Sequence, residues 1–174
     1  FAEDKPACAL ALKTLEIIDR DDVSNRCRLV GERFMAKLRI LKQRYPDVVA
    51  EIRGLGLMIG LEIKDQSQSS SFLLRALSQD NLEILSHLIA GYLLNRQSIR
   101  LAPTKTRNTL RFLPSVYFSD QEMDHVVAAL DRVCQMIHYA NPGRLLRYMT
   151  NVPQNDLEPI IDFRQKHPPV QQTS

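Results

Sequence analysis

The sequence predicts an α+β fold: a small, mostly antiparallel sheet with amphipathic helices packed on one face, followed by a proline-rich C-terminal extension. Three observations carry this expectation. Apolar residues recur at helical spacing in several segments. Short apolar runs that do not alternate, bounded by Gly-Leu-Gly or by polar turns, fit the strands of a small sheet. These segments follow one another as two helices, two strands, a helix, two strands and a helix, which suits helices layered on one sheet.

The first helix is expected over Pro6 to Arg20, with Cys8, Ala11, Leu12, Leu15 and Ile18 on one face and Lys13 and Glu16 opposite. Pro6 is tolerated near a helix start, where its missing N–H would be unpaired anyway. A second helix runs from about Val23 to Tyr45 and is closed by Pro46. Its core stripe is Cys27, Val30, Phe34, Leu38 and Leu41; a second apolar line of Leu29, Ala36 and Ile40 suggests more than one neighbour. Val48 to Arg53 and Leu57 to Ile63 read as two strands joined through Gly54-Leu55-Gly56, and 64–71 reads as a polar flexible loop. Asp80 and Glu83 resemble a capping box opening a helix with the stripe Leu82, Leu85, Leu88, Ile89 and Tyr92. Ile99 to Ala102 and Thr109 to Phe112 then read as strands around a polar turn, with Pro114 ending the second. Ser119-x-x-Glu122 is a capping box in its strict form. It starts the last helix, along which Met123, Val126, Val127, Leu130, Val133, Cys134 and Ile137 keep helical spacing. From Tyr139 onward five of the nine prolines crowd into the chain's end, where only Arg144 to Met149 suits a short helix. The remainder reads as a wrapping segment or linker.

Composition narrows the class. The 174 residues are 44% hydrophobic and 25% charged, enough for one staple-free domain; a chain of this size buries roughly 70% of its unfolded surface. Three cysteines, Cys8, Cys27 and Cys134, form no C-x-x-C pair and fall on apolar helix faces, so inert buried thiols are expected and no metal site. No apolar run reaches the length of a membrane span, and a reducing cytoplasmic setting fits. The chain opens at Phe1 rather than Met, so a piece of a longer polypeptide is expected. A net charge of +3 does not by itself point to nucleic acid. Arg26, Arg33, Lys37 and Arg44 form a basic stripe on the second helix. A solvated flank is the plainer reading of it and a nucleic-acid contact the sharper one, although no stacking aromatics interleave.

The chemistry-bearing residues are few. His87, His125, His138 and His167 lack metal-ligand spacing, no serine sits in a nucleophile elbow, and Gly54-Leu55-Gly56 is not a phosphate-binding loop. Two arginines stand at strand ends: Arg53 beside Gly54 and Gly56, and Arg111 near Pro114. An arginine fork in such a place fits a carboxylate bidentately; the alternative is a structural arginine paired with a carbonyl or a nearby acid.

Three stretches together resemble the C-terminal small domain of class III aminotransferases, the pyridoxal-phosphate enzymes of the ornithine, acetylornithine and 4-aminobutyrate type. Phe1-Ala-Glu-Asp-Lys-Pro-Ala-Cys-Ala9 is similar to F-G-G-N-P-L-A-C-A, Arg53-Gly-Leu-Gly-Leu-Met-Ile-Gly60 to R-G-x-G-L-M-x-G, and Leu110-Arg-Phe-Leu-Pro-Ser115 to L-R-F-x-P-P. Ala2 to Lys5 and Ser115 depart from those patterns. The resemblance covers residues 1–138 as the small domain and leaves 139–174 as an extension or linker, which suggests a further module in a multidomain parent. It implies the small-domain fold of fold type I aminotransferases and places Arg111 on the substrate carboxylate. Arg53, Gly54, Gly56 and Pro114 then shape the turns near the site. It further implies that no catalytic or cofactor-binding residue lies in this segment, because the Schiff-base lysine belongs to the large domain of the same chain. The segment alone is therefore expected to be inactive, and the parent to be a homodimer acting on small amino and keto substrates, with neither nucleic acid nor membrane as partner. A non-catalytic interaction or assembly module with the same fold is the alternative.

Overall fold

A computed structural model of the chain describes residues 4–78, 84–104, 108–149 and 159–164. The expectations placed on Phe1 to Glu3, on Asp80, Leu82 and Glu83, on 105–107, and on Pro153, His167, Pro168 and Pro169 lie outside the described residues.

Helix α1 spans Lys5–Arg20, with the Asp4 carboxylate accepting from the Ala7 N–H at its start. A two-residue turn through Asp21 and Asp22 leads to α2, Val23–Arg44. The α2 stripe is buried as expected, with Val30, Phe34, Leu38 and Leu41 in the core and Cys27 half-buried. The α1 stripe is not: no residue of α1 is buried, and Leu12, Leu15 and Ile18 face outward. Cys8 is exposed too, so of the three thiols expected to be buried only Cys134 is fully so. Burial pushes the Cys134 thiol up to about 12. The physical reason for the α1 result is geometric. Its main neighbour among the described residues is α2, which turns its own stripe toward the sheet and α5. Leu29, Ala36 and Ile40 on α2 are likewise exposed, so that line finds no cover among the described residues.

The sheet has the order β1-β2-β4-β3, every pair antiparallel, with β1 Val49–Leu55, β2 Met58–Ile63, β3 Ala102–Pro103 and β4 Thr109–Phe112. The β1–β2 turn is seated on α2 through two glycines. Gly56 takes φ +55°, and a Cβ on Gly31 would stand 2.0 Å from the Gly56 carbonyl oxygen. Two elements differ from the sequence reading. After loop 64–71, where the Gln66 amide donates to the Asp47 and Lys64 carbonyls, a short helix α3 spans Phe72–Ser78. Seven residues are too few for periodicity to announce a helix; the usable signal was Ser71, whose hydroxyl accepts from the Leu74 N–H. Strand β3 is shorter and later than Ile99 to Ala102, because the Ile99 N–H turns back to the Leu93 carbonyl and joins no ladder.

Helix α4 is Ile84–Gln97, with Leu85, Leu88, Ile89 and Tyr92 buried as the stripe predicts. Helix α5 is Asp120–His138 and carries the expected capping box, with both reciprocal bonds between Ser119 and Glu122 present. Those bonds hold the Glu122 carboxyl below the usual carboxylate range. His87 and His125 lie on the surface. Beyond α5 the chain adds α6, Gly143–Leu146, and a 3-10 turn, Arg147–Met149, matching the short helix expected there. Leu145 enters the core, and Tyr148 and Ile160 pack against it. The core thus lies on one face of the sheet, between Ile59, Leu61, Leu110 and Phe112 and the helices. Among the described residues no helix is long and apolar enough to cross a membrane.

Candidate functional site

Among the described residues no helix packs on the other face of the sheet, and the strand registers define what stands on it. Arg53 of β1 lies opposite Gly60 of β2, Gly60 opposite Arg111 of β4, and Arg111 opposite Ala102 of β3. One row thus crosses all four strands, with an arginine on each side of a residue that has no side chain. Side chains alternate along a strand, so Glu51 and Leu55 share this face with Arg53, and Met58 and Glu62 share it with Gly60. Leu55 is 80% and Met58 64% exposed.

The two arginines are in different electrostatic states. Arg53 Nη1 donates to Glu62 Oε2 at 2.6 Å and to Glu51 Oε2 at 2.7 Å. Those bonds, that to Glu62 foremost, raise the guanidinium above its ordinary value. Two carboxylates on one cation leave that cluster with a surplus of negative charge. Arg111 is exposed and has no hydrogen bond or ion pair to a described residue. A guanidinium with open donors, flanked by Gly60 and Ala102, has the chemistry to bind a carboxylate bidentately. The sequence reading left both possibilities open for each arginine. Among the described residues, the structure puts Arg53 in acidic company and gives Arg111 no partner.

Gly54 and Gly56 shape the hairpin behind this face: a Cβ on Gly54 would stand 2.3 Å from the Met58 carbonyl oxygen. Pro114 is half-buried just past β4, at a cavity of about 320 Å³ lined also by Phe34, Phe112, Phe118 and Arg100. The role of Glu51 and Glu62 was missed from the sequence. The signal was present, since a tight turn at residues 56 and 57 pairs Arg53 with Gly60 and brings Glu62 one step away on the same face.

The basic stripe of α2 also has an unforeseen complement. Arg33 pairs with Asp120, Lys37 with Asp124 and Arg44 with Asp131 of α5, while Arg26 lies over the Tyr117 ring. Basic residues spaced four and seven apart meet aspartates spaced four and seven apart, which is the pattern of two helices running parallel. Three of the stripe's four charges are thus matched by acids of α5. Among the described residues no cluster of His, Cys, Asp and Glu is arranged to hold a metal ion.

With this geometry in hand, the family described as Aminotransferase class-III matches residues 1–134. The taurine–pyruvate aminotransferase of Bilophila wadsworthia is 28% identical over 127 residues, covering 73% of this chain and 26% of that protein. The acetylornithine aminotransferase of Caldanaerobacter subterraneus is 30% identical over 139 residues, covering 80% and 30%. The diaminobutyrate–2-oxoglutarate aminotransferase of Rhizobium meliloti is 32% identical over 133 residues, covering 75% and 27%. Among solved structures, a transaminase with L-alanine has a TM-score of 0.56 at 28% identity, over 75% of this chain and 28% of that one. An S-selective transaminase from Arthrobacter, at 17% identity and a TM-score of 0.58, shares the α+β fold. The chain spans between 26% and 30% of the length of these curated relatives.

Proposed function

Because the chain belongs to the class III aminotransferases, we propose that it is the C-terminal small domain of a larger pyridoxal-phosphate-dependent member and that its open sheet face supplies the arginine for the substrate carboxylate. The observation that carries this reading is the contrast on that face: Arg53 is engaged by Glu51 and Glu62, while Arg111 stands between Gly60 and Ala102 with no partner among the described residues. A carboxylate arriving there meets Arg111 and is turned away from the Arg53 cluster by the two glutamates. Exposed Leu55 and Met58 offer an apolar rim that a covering lobe would dry, strengthening that ion pair.

Pyridoxal phosphate, when bound, supplies an electron sink for amino-group transfer and requires a lysine amine to carry it. The described lysines Lys5, Lys13, Lys37, Lys42 and Lys64 sit on helix or loop surfaces and none is buried. These residues do not fit the cofactor by themselves. The reading therefore assigns the lysine and the cofactor pocket to a large domain elsewhere in the same polypeptide, with this segment alone inactive. The bare apolar side of α1 supports a covering lobe of that kind, and a homodimeric parent acting on small amino and keto substrates is part of the same proposal.

The test is Arg111→Ala in the full-length parent. Loss of a charge-assisted hydrogen bond, about 1.5–3 kcal/mol, lowers kcat/KM for carboxylate-bearing substrates about tenfold to a hundredfold. An amine donor without a carboxylate is expected to be unaffected. Unchanged Michaelis constants for the carboxylate substrates would overturn the assignment.

A further inference from the structure

The last described segment, 159–164, returns to the C-terminal end of α5. The Phe163 N–H donates to the Tyr139 carbonyl at 2.9 Å, the Asn141 amide to the Ile161 carbonyl at 3.1 Å, and Arg144 to the Pro159 carbonyl at 3.2 Å. Arg164 adds one more anchor. Its guanidinium lies 5.1 Å from the centre of the Tyr139 ring, is bonded to Asp162, and places Nη1 2.9 Å from His138 Nε2. A guanidinium has donors only, so that contact is a hydrogen bond only if Nε2 accepts. That bond requires a neutral ring with its one proton on Nδ1, from which it donates to Asp47 Oδ2 at 2.7 Å.

We propose that residues 159–164 form a strap whose anchor at Arg164 holds only while His138 is neutral, so that the segment docks near neutral pH and loosens on acidification. Among the described residues, the groups around the ring are Asp47 from the turn after α2, the Tyr45 ring at 5.6 Å, the adjoining Tyr139 ring at 5.0 Å, and Arg164 and Asp162 of the strap. Asp131 lies one layer further out, bonded to the Tyr45 hydroxyl. Asp47 favours the imidazolium. Asp162 does so less strongly, because its carboxyl is occupied by Arg164, whose hydrogen bonds hold it below the usual carboxylate range. Arg164 opposes the imidazolium and is the group touching the nitrogen that takes the proton. Once Nε2 is protonated, two donors face each other at hydrogen-bond distance and that contact opens. The contact with Asp47 survives as an ion pair, so the ring stays in place while the strap loses this one of its anchors. Histidine is the side chain whose ordinary titration spans this range.

Amide exchange in the 174-residue chain tests the proposal, with Phe163 as reporter and buried Val133 on α5 as internal reference. Relative to Val133, protection of Phe163 should be about tenfold higher at about pH 7.5 than at about pH 5.5, the scale of one hydrogen bond to a charged group. Its midpoint should coincide with the titration of the His138 ring protons in the same sample. His138→Gln keeps an acceptor without a titration and should give a flat, protected profile, whereas Arg164→Ala should give a flat, unprotected one. Either variant alone suffices if the other fails to fold. A flat wild-type profile, a rise in protection on acidification, or a pH dependence that persists in either variant would overturn the proposal.

Discussion

Leu15 of α1 and Phe34 of α2 occupy comparable places in consecutive helices, each in the middle of an apolar stripe at 3.6-residue spacing. Yet Leu15 is 62% exposed and Phe34 1%. The difference lies in what each stripe meets. The α2 stripe faces β1, β2 and α5, and its charged flank is matched by three aspartates of α5. The α1 stripe is buried by none of the described residues, and the helix rests on local terms: the Asp4 cap, an alanine-rich first half, the Lys13–Glu16 pair and Arg20 in its last turn. Such terms leave a helix of this length marginal in water. An amphipathic pattern therefore states that a face seeks cover and says nothing of where the cover comes from.

The sharpest way to break this comparison is Phe34→Ala. The ring meets Phe112 edge-on at 5.7 Å and Phe118 at 5.1 Å, tying α2 to β4 and to the approach to α5. Truncation should lower unfolding stability by about 3–5 kcal/mol in urea titrations. A loss under about 1 kcal/mol, the scale of an ordinary surface change, would mean that α2 does not organise the core. Gly31→Ala comes next. The added methyl would meet backbone of the Gly56 turn, which its positive φ leaves little room to retreat, so a loss of about 1–3 kcal/mol is expected in the same titration. A neutral result would detach the hairpin from α2.

Legibility followed the same divide. Segments whose partners are near in sequence or whose ends carry explicit chemistry could be read off: the Ser119–Glu122 box set the start of α5, and β4 was placed from Thr109 to Phe112. Short elements could not. Helix α3 has too few residues for a period, and Ile99 is apolar enough for a strand but spends its N–H on a turn. For the candidate site, spacing alone named Arg53 and Arg111 but did not separate them. Their difference depends on register, which brings Glu51 and Glu62 to one arginine and a glycine and an alanine to the other. The fate of the α1 face was not legible, since its pattern is the one that the buried α2 face also shows.

Leu15→Ala is the smallest expected effect and separates the two helices most directly. In the 174-residue chain the substitution removes little buried surface and introduces a better helix former, so stability should change by no more than about 0.5 kcal/mol. In a full-length parent whose other lobe covers α1, the same change would open a cavity and lower stability by about 2–5 kcal/mol. The two measurements together distinguish a face awaiting a partner from a face that is merely apolar. A large loss in the 174-residue chain would show that α1 is already covered there and remove the contrast with α2. A small loss in both settings would leave the α1 stripe without a partner, and with it the support that this helix lends to a covering lobe.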